Sequence, residues 1–219
     1  MAAHKARATA TASADLPATM LAAVWQGDSP RLTVEEIPVP QPQEGEALVR
    51  VTACGVCHTD MYTASGADPS GYAPCVLGHE GAGIVTKVGP GVTRLKEGDH
   101  VVTAFIPACG KCPPCSRGQQ NLCDLGATIL EGSMPDGTFR FRGGGQDFGA
   151  MCMLGTFAER ATISQHSVVK IDDWLPLETA VLVGCGVPSG WGTAVSAGGL
   201  RPGDTAVVYG IGGLGINAV

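Results

Sequence analysis

Four cysteines lie within fifteen residues, as Cys109-Gly110-Lys111-Cys112-Pro113-Pro114-Cys115 closed by Cys123. This C-x2-C-x2-C-x7-C spacing brings four sulfurs to one point. Soft thiolates gathered in this way select zinc or an iron–sulfur cluster. Gly110 and the Pro113-Pro114 pair form loops, so the site is a loop folded around a metal and not a helix face. Four thiolates leave no open coordination position, which marks the site as structural. The chain must therefore fold into something that needs a metal brace beside its main core.

The nine cysteines do not suit a secreted disulfide framework. Their number is odd and their clustering is C-x2-C, so metal thiolates of an intracellular, cytoplasmic protein are expected. A net charge of −6 argues against nucleic acid or an anionic membrane as partner. No apolar run approaches the length of a membrane span. Residues 1–19 read as a flexible tail with no secretory core. Their basic, Ala/Thr/Ser-rich content also suits a transit peptide, while Met20 reads as the natural start of the ordered chain.

From Met20 onward the pattern is one of short strands. A hairpin is expected over 20–26 and 31–37, across Gly27-Asp28-Ser29-Pro30. Pro38, Pro40 and Pro42 mark an extended connector. Further strands are expected over 46–54, 81–88, 100–105, 157–163 and 168–171, with 126–150 Gly-rich and irregular. Helices are expected over 177–183 and 189–197. Many short strands separated by turns predict a compact β-barrel-like domain.

A second set of metal donors flanks the thiol loop. Gly55-Val56-Cys57-His58-Thr59-Asp60 follows a strand, Gly78-His79-Glu80 precedes one, and Gly184-Cys185-Gly186 lies between helical segments. Cys57, His79 and Cys185 supply two sulfurs and one nitrogen, which leaves a fourth position for water or substrate. Cys54, Cys75 and Cys152 have no partner at ligand spacing and read as ordinary thiols of the core or surface. His4 and His166 read as solvated and His100 as structural. A third feature closes the chain. A strand expected over 204–209 runs into Gly210-Ile211-Gly212-Gly213-Leu214-Gly215, a G-x-G-x-x-G loop that suits a dinucleotide pyrophosphate.

Gly78-His79-Glu80 with Gly83, Gly89 and Val92 resembles the signature of zinc-containing medium-chain alcohol dehydrogenases. The Cys57 segment, the four-cysteine lobe and the Cys185 segment occur in that family's order. The resemblance implies a β-rich GroES-like catalytic domain over 20–186. It also implies the beginning of an α/β Rossmann domain over 187–219, truncated four residues past the glycine motif. It implies two Zn2+ per chain, a catalytic one at Cys57, His79 and Cys185 and a structural one at Cys109, Cys112, Cys115 and Cys123. Hydride would pass between a primary alcohol or aldehyde and NAD. Thr59 matches the hydroxyl that takes the alcohol proton, and Tyr62 stands where the family often continues that relay with His. Asp60 is expected to orient His79, and Glu80 to tune the metal. His58, Ser189, Gly210, Gly212, Gly213 and Gly215 match cofactor contacts, while Phe105 and Trp191 match pocket walls. The family's oligomerisation implies a homo-oligomer for the intact enzyme.

Two subgroups are close. Gln120-Asn121-Leu122-Cys123-Asp124-Leu125-Gly126, Asp136-Gly137-Thr138-Phe139-Arg140-Phe141 and Lys170-Ile171-Asp172-Asp173 resemble bacterial alcohol dehydrogenases assayed with a nitroso dye, whose nicotinamide is often tightly held. Cys57-His58-Thr59-Asp60 with Tyr62, followed by Ser65-Gly66-Ala67-Asp68-Pro69, resembles thiol-dependent formaldehyde dehydrogenases, which oxidise S-(hydroxymethyl)thiols. An inactive zinc-binding fragment of such an enzyme is a further reading.

Overall fold

A computed structural model describes residues 16–67 and 72–219. The tail residues 1–15, with His4, and the Asp68-Pro69 pair lie outside the described residues. Ten strands form two five-stranded sheets. They are β1 (Thr19–Trp25), β2 (Leu32–Pro38), β3 (Glu46–Gly55), β4 (Cys75–Val76), β5 (Glu80–Val88), β6 (His100–Thr103), β7 (Phe141–Gly143), β8 (Gln146–Ala150), β9 (Arg160–Ser164) and β10 (Val168–Ile171). The first sheet runs β2-β1-β4-β8-β7 and the second β10-β6-β5-β3-β9. All pairings are antiparallel except β4 with β8.

Alternation makes these strands. Along β1, Met20, Ala22 and Val24 point inward, while Leu21 is exposed. The expected β1–β2 hairpin forms in the register Thr19↔Pro38 to Trp25↔Leu32. The two sheets meet where Ala22 bridges Ala158, flanked by the Ala23 N–H bonded to the Phe157 carbonyl at 2.8 Å. Between the sheets lies a core that includes Val24, Ile37, Leu48, Val49, Val76, Leu77, Phe141, Phe148, Leu154 and Ile163. A smaller cluster of Ala82, Val102, Leu177, Ala180 and Val181 seats the helix α3 (Leu177–Ala180) on the second sheet.

The remaining helices are α1 (His58–Ala64), α2 (Pro113–Ser116), α4 (Gly186–Gly192) and α5 (Gly213–Ala218). A 3-10 turn over Val181–Gly184 continues α3, and a wider turn over Thr193–Ala197 continues α4. Among the described residues no single helix is long and apolar enough to cross a membrane.

Several expectations are corrected. Residues 126–150 contain the β7–β8 hairpin, turned by Gly144 and Gly145 at φ 56° and 81°. Positive φ at both central residues is what a two-residue hairpin turn of matching twist requires. The strand expected over 204–209 does not form. Val207 is 73% exposed and Tyr209 94% exposed, and no described strand lies alongside to complete a hydrogen-bond ladder. His166, read as solvated, is half-buried; its Nδ1 is enclosed without a partner. Burial lowers its pKa, helped by the charges of Arg94 and Lys111.

One buried ion pair ties the 136–140 turn to the start of β3. Arg140 donates from Nε to Glu46 Oε2 at 2.8 Å and from Nη2 to Glu46 Oε1 at 2.8 Å, and both side chains are buried. Its Nη2 also reaches Asp136 Oδ2 at 2.7 Å. Glu46 Oε2 accepts the Gln43 N–H at 2.8 Å as well. Breaking such a pair from one side strands a buried charge. Arg140→Ala is therefore expected to destabilise the fold by about 3–5 kcal/mol in urea unfolding, and Arg140→Met with Glu46→Gln to cost clearly less. Burial works against the Asp136 charge, but Arg140 and Thr138 prevail and lower its pKa from 3.8 to about 2. A depressed carboxylate stabilises the fold above its unfolded pKa and stops doing so as pH falls through the folded one. Acid unfolding should show this loss between about pH 4 and pH 2, and Asp136→Asn should remove that component.

Candidate metal centres

The segment between β3 and α1 turns at Cys57, which caps α1 with extended backbone at φ −99°. Its N–H is bound by Asp60 Oδ2 at 2.9 Å. The other oxygen of the same carboxylate accepts the Gly78 N–H at 3.1 Å and meets His79 Nδ1 at 3.1 Å. Asp60 is only 3% exposed. Its charge is thus neutralised by donors from two chain segments. Bonding at Nδ1 fixes the imidazole tautomer and leaves Nε2 to face the sulfurs.

Cys57, His79, Glu80 and Cys185 place one donor atom each within 4.8 Å of one another. Sequence reading joined Cys57, His79 and Cys185, and placed Glu80 beside them. The structure brings the Glu80 carboxylate in as a fourth donor. Strand neighbours point to opposite faces, but β5 begins only at Glu80, so His79 and Glu80 both turn inward. Gly55 makes room for this: a Cβ there would lie 2.2 Å from Glu80 Oε2. Cys185 arrives from the other side, between the Val181–Gly184 turn and α4.

Burial lowers the His79 pKa, but the hydrogen bonds to Asp60 and Cys185 and the Asp60 charge outweigh it and raise it to about 11. Acceptors thus face the ring from both the Asp60 and the Cys185 side. Burial opposes ionisation of Cys57, yet Thr59 and His79 lower its pKa. Thr59 Oγ1 stands 3.4 Å from Cys57 Sγ, and Ser189 Oγ 3.9 Å from Cys185 Sγ. Phe105 meets the His79 ring edge-on, with centroids 6.3 Å apart. His58 and Tyr62 are exposed on α1, and Trp191 is exposed on α4. Cys54 lies behind the centre, 3.0 Å from Thr156 Oγ1, and burial pushes its thiol up to about 11.

The second group is Cys109, Cys112, Cys115 and Cys123, again with all donors within 4.8 Å. Sulfur–sulfur separations are 4.0 Å for Cys109–Cys115 and 3.9 Å for Cys112–Cys123. These are too long for disulfides. They match the edge of a tetrahedron about 3.8 Å long, which follows from zinc–sulfur bonds of about 2.3 Å. The Pro113-Pro114 pair starts α2 directly after Cys112. Backbone N–H groups of Lys111 and Cys112 lower the Cys109 thiol to about 6. The lobe is tied to the rest of the domain by the Ala108 N–H on the His166 carbonyl at 2.8 Å.

The glycine loop lies against α4. A Cβ on Gly190 would come within 2.3 Å of the Leu214 carbonyl, so α4 and α5 touch backbone to backbone. Gly210 has φ 87°, and a Cβ on Gly215 would lie 1.9 Å from the Gly210 carbonyl. These contacts explain the glycines at both ends of the motif. Gly212 caps α5 and, with Gly213, has open space above it.

The model of the alcohol dehydrogenase GroES-like domain matches residues 43–173. Putative alcohol dehydrogenase D of Mycobacterium tuberculosis is 65% identical over 201 residues, covering 92% of this chain and 54% of that protein. The NDMA-dependent alcohol dehydrogenase of Amycolatopsis methanolica is 63% identical over 198 residues, covering 90% of this chain and 53% of that protein. Among solved structures, an alcohol dehydrogenase zinc-binding domain protein from Burkholderia ambifaria superposes with a TM-score of 0.84 at 33% identity, over 91% of this chain and 54% of that one. The chain spans about half the length of the curated relatives it matches. With both donor groups gathered on a matching β-domain, the chain belongs to the alcohol dehydrogenase GroES-like domain family.

Proposed function

We propose that the protein carrying this chain is a zinc-dependent alcohol dehydrogenase that moves hydride between a primary alcohol or aldehyde and NAD. The reading rests above all on the convergence of Cys57, His79, Glu80 and Cys185, with His79 oriented by a buried carboxylate. Two sulfurs, one imidazole and an adjacent carboxylate fit zinc with an exchangeable position. Zinc bound there supplies Lewis acidity at an alcohol or aldehyde oxygen, and NAD supplies the hydride acceptor.

The chain's own residues do the rest. Asp60 holds His79 and, through its backbone, Cys57. Thr59, beside Cys57 Sγ, is positioned to take the alcohol proton, and Tyr62, one helical turn further along α1, stands toward solvent to pass it on. Glu80 shares the centre and would add a fourth donor to a metal held there. Phe105 forms a wall beside His79. His58, Ser189 and the Gly210, Gly212, Gly213 and Gly215 backbone are assigned to the cofactor. The open space over Gly212 and Gly213 supports that assignment. The four cysteines of the lobe would hold the second, structural zinc, away from the substrate. The names of two relatives above 60% identity favour an alcohol over an S-(hydroxymethyl)thiol as substrate.

Purified full-length protein is expected to hold two zinc ions per chain. It should reduce NAD or a nitroso dye only when a primary alcohol is supplied. Fully zinc-loaded protein that shows no alcohol-dependent reduction with either acceptor would count against the reading. Asp60→Asn should weaken zinc at the Cys57 centre by roughly 10–100-fold and leave the lobe's zinc in place. Cys112→Ala should have the opposite pattern in metal analysis, with the lobe's zinc lost and a lowered melting temperature.

A further inference from the structure

The metal donors His79 and Cys185 come from segments far apart in sequence, and one side chain on β6 touches the backbone of the first while its own backbone abuts the second. Thr103 is 3% exposed. Its Oγ1 donates to the His79 carbonyl at 3.1 Å and accepts the Gly81 N–H at 2.8 Å. The regular β5–β6 pairing runs from Ile84↔His100 to Ala82↔Val102. Beyond that rung, the Thr103 hydroxyl takes over, with one donor and one acceptor used on either side of Glu80.

The clamp has little slack. A Cβ on Gly81 would lie 2.6 Å from Thr156 Cγ2 and 3.2 Å from Thr103 Cγ2. On the other side, the Thr103 carbonyl is so near Gly184 that a Cβ there would lie 3.0 Å away. Gly184 immediately precedes Cys185. Thr103 therefore sets where the His79–Glu80–Gly81 backbone sits and limits how far the Cys185 arm can approach. Asp60 orients the imidazole ring, and Thr103 holds the main chain from which that ring and the Glu80 carboxylate project.

We propose that Thr103 is a positioning residue for the Cys57/His79/Cys185 centre: its hydroxyl fixes where the backbone carrying the imidazole sits, against a Cys185 arm stopped by its carbonyl. The proposal rests on the metal reading of that centre.

The test uses full-length protein with Co2+ exchanged into this centre, whose d–d band energies report the ligand arrangement. Thr103→Val keeps the shape and removes the hydroxyl. It is expected to shift those bands and to weaken Co2+ by about tenfold or more in chelator competition, with the lobe's metal retained. Thr103→Ser should restore both readouts to wild-type values. Should Thr103→Val prove insoluble, Thr103→Ala removes the same hydroxyl with less bulk and carries the same expectation. A cooperative thermal transition reports folding in every variant. Unchanged bands and affinity in a folded hydroxyl-free variant would overturn the proposal, even if its melting temperature fell. Wild-type protein that gives no Co2+ spectrum from this centre would instead overturn the metal reading and the proposal with it.

Discussion

The carboxylate of Asp60 is the interaction on which the Cys57 centre depends. It bonds the Cys57 N–H, the Gly78 N–H and His79 Nδ1 at once. A buried charge is costly unless donors surround it, and these three do so. The helix cap, the approach to β5 and the imidazole orientation are therefore one commitment and not three. Removing the carboxylate would free all of them together. The same residue that starts α1 by capping its first turn also sets the tautomer of a ligand nineteen positions on.

Around this point the two sheets supply rigidity by ordinary means. β3 carries the centre's first segment and is the most heavily partnered strand, lying between β5 and β9. Its register with β5 shifts between Leu48 and Val49 and again between Val51 and Ala53. Such bulges bend a strand and re-aim its end. Here the end is Gly55, the point where Glu80 needs space. At the other end of β3, Glu46 is held by Arg140. The strand is thus fixed at its start by a buried ion pair and at its end by a buried carboxylate with no room to spare.

Much of this was legible in the sequence because the signals are local. The thiol spacing of the lobe, the β1–β2 hairpin around Gly27 to Pro30 and the Cys57, His79 and Cys185 motifs each depend on residues close together. Asp60 was legible as well, from its place three residues after Cys57. What escaped depends on neighbours distant in the chain. The two-residue strand Cys75–Val76 exists only because β1 and β8 flank it. The β7–β8 hairpin hid in a glycine-rich run whose apolar residues are too few to show a period. Residues 204–209 have strand composition, but composition alone makes no ladder without a strand beside it. Thr103 looks like any strand residue until the splay between β5 and β6 is known. The inward turn of Glu80 likewise follows from where β5 begins, which no local pattern marks.

The two donor groups differ in how much chain must be organised before they can exist. From Cys109 to Cys123 the polypeptide has only a short loop to close, and proline and glycine already bend it. From Cys57 to Cys185 it must fold most of both sheets. Loop closure alone makes the second gathering costlier by about 2 kcal/mol. The sulfurs of the lobe can meet while the rest of the chain is still disordered, whereas the imidazole and Cys185 meet only when folding is nearly done. The lobe is thus built to record that a short segment has closed, and the Cys57 centre to record that the whole domain has.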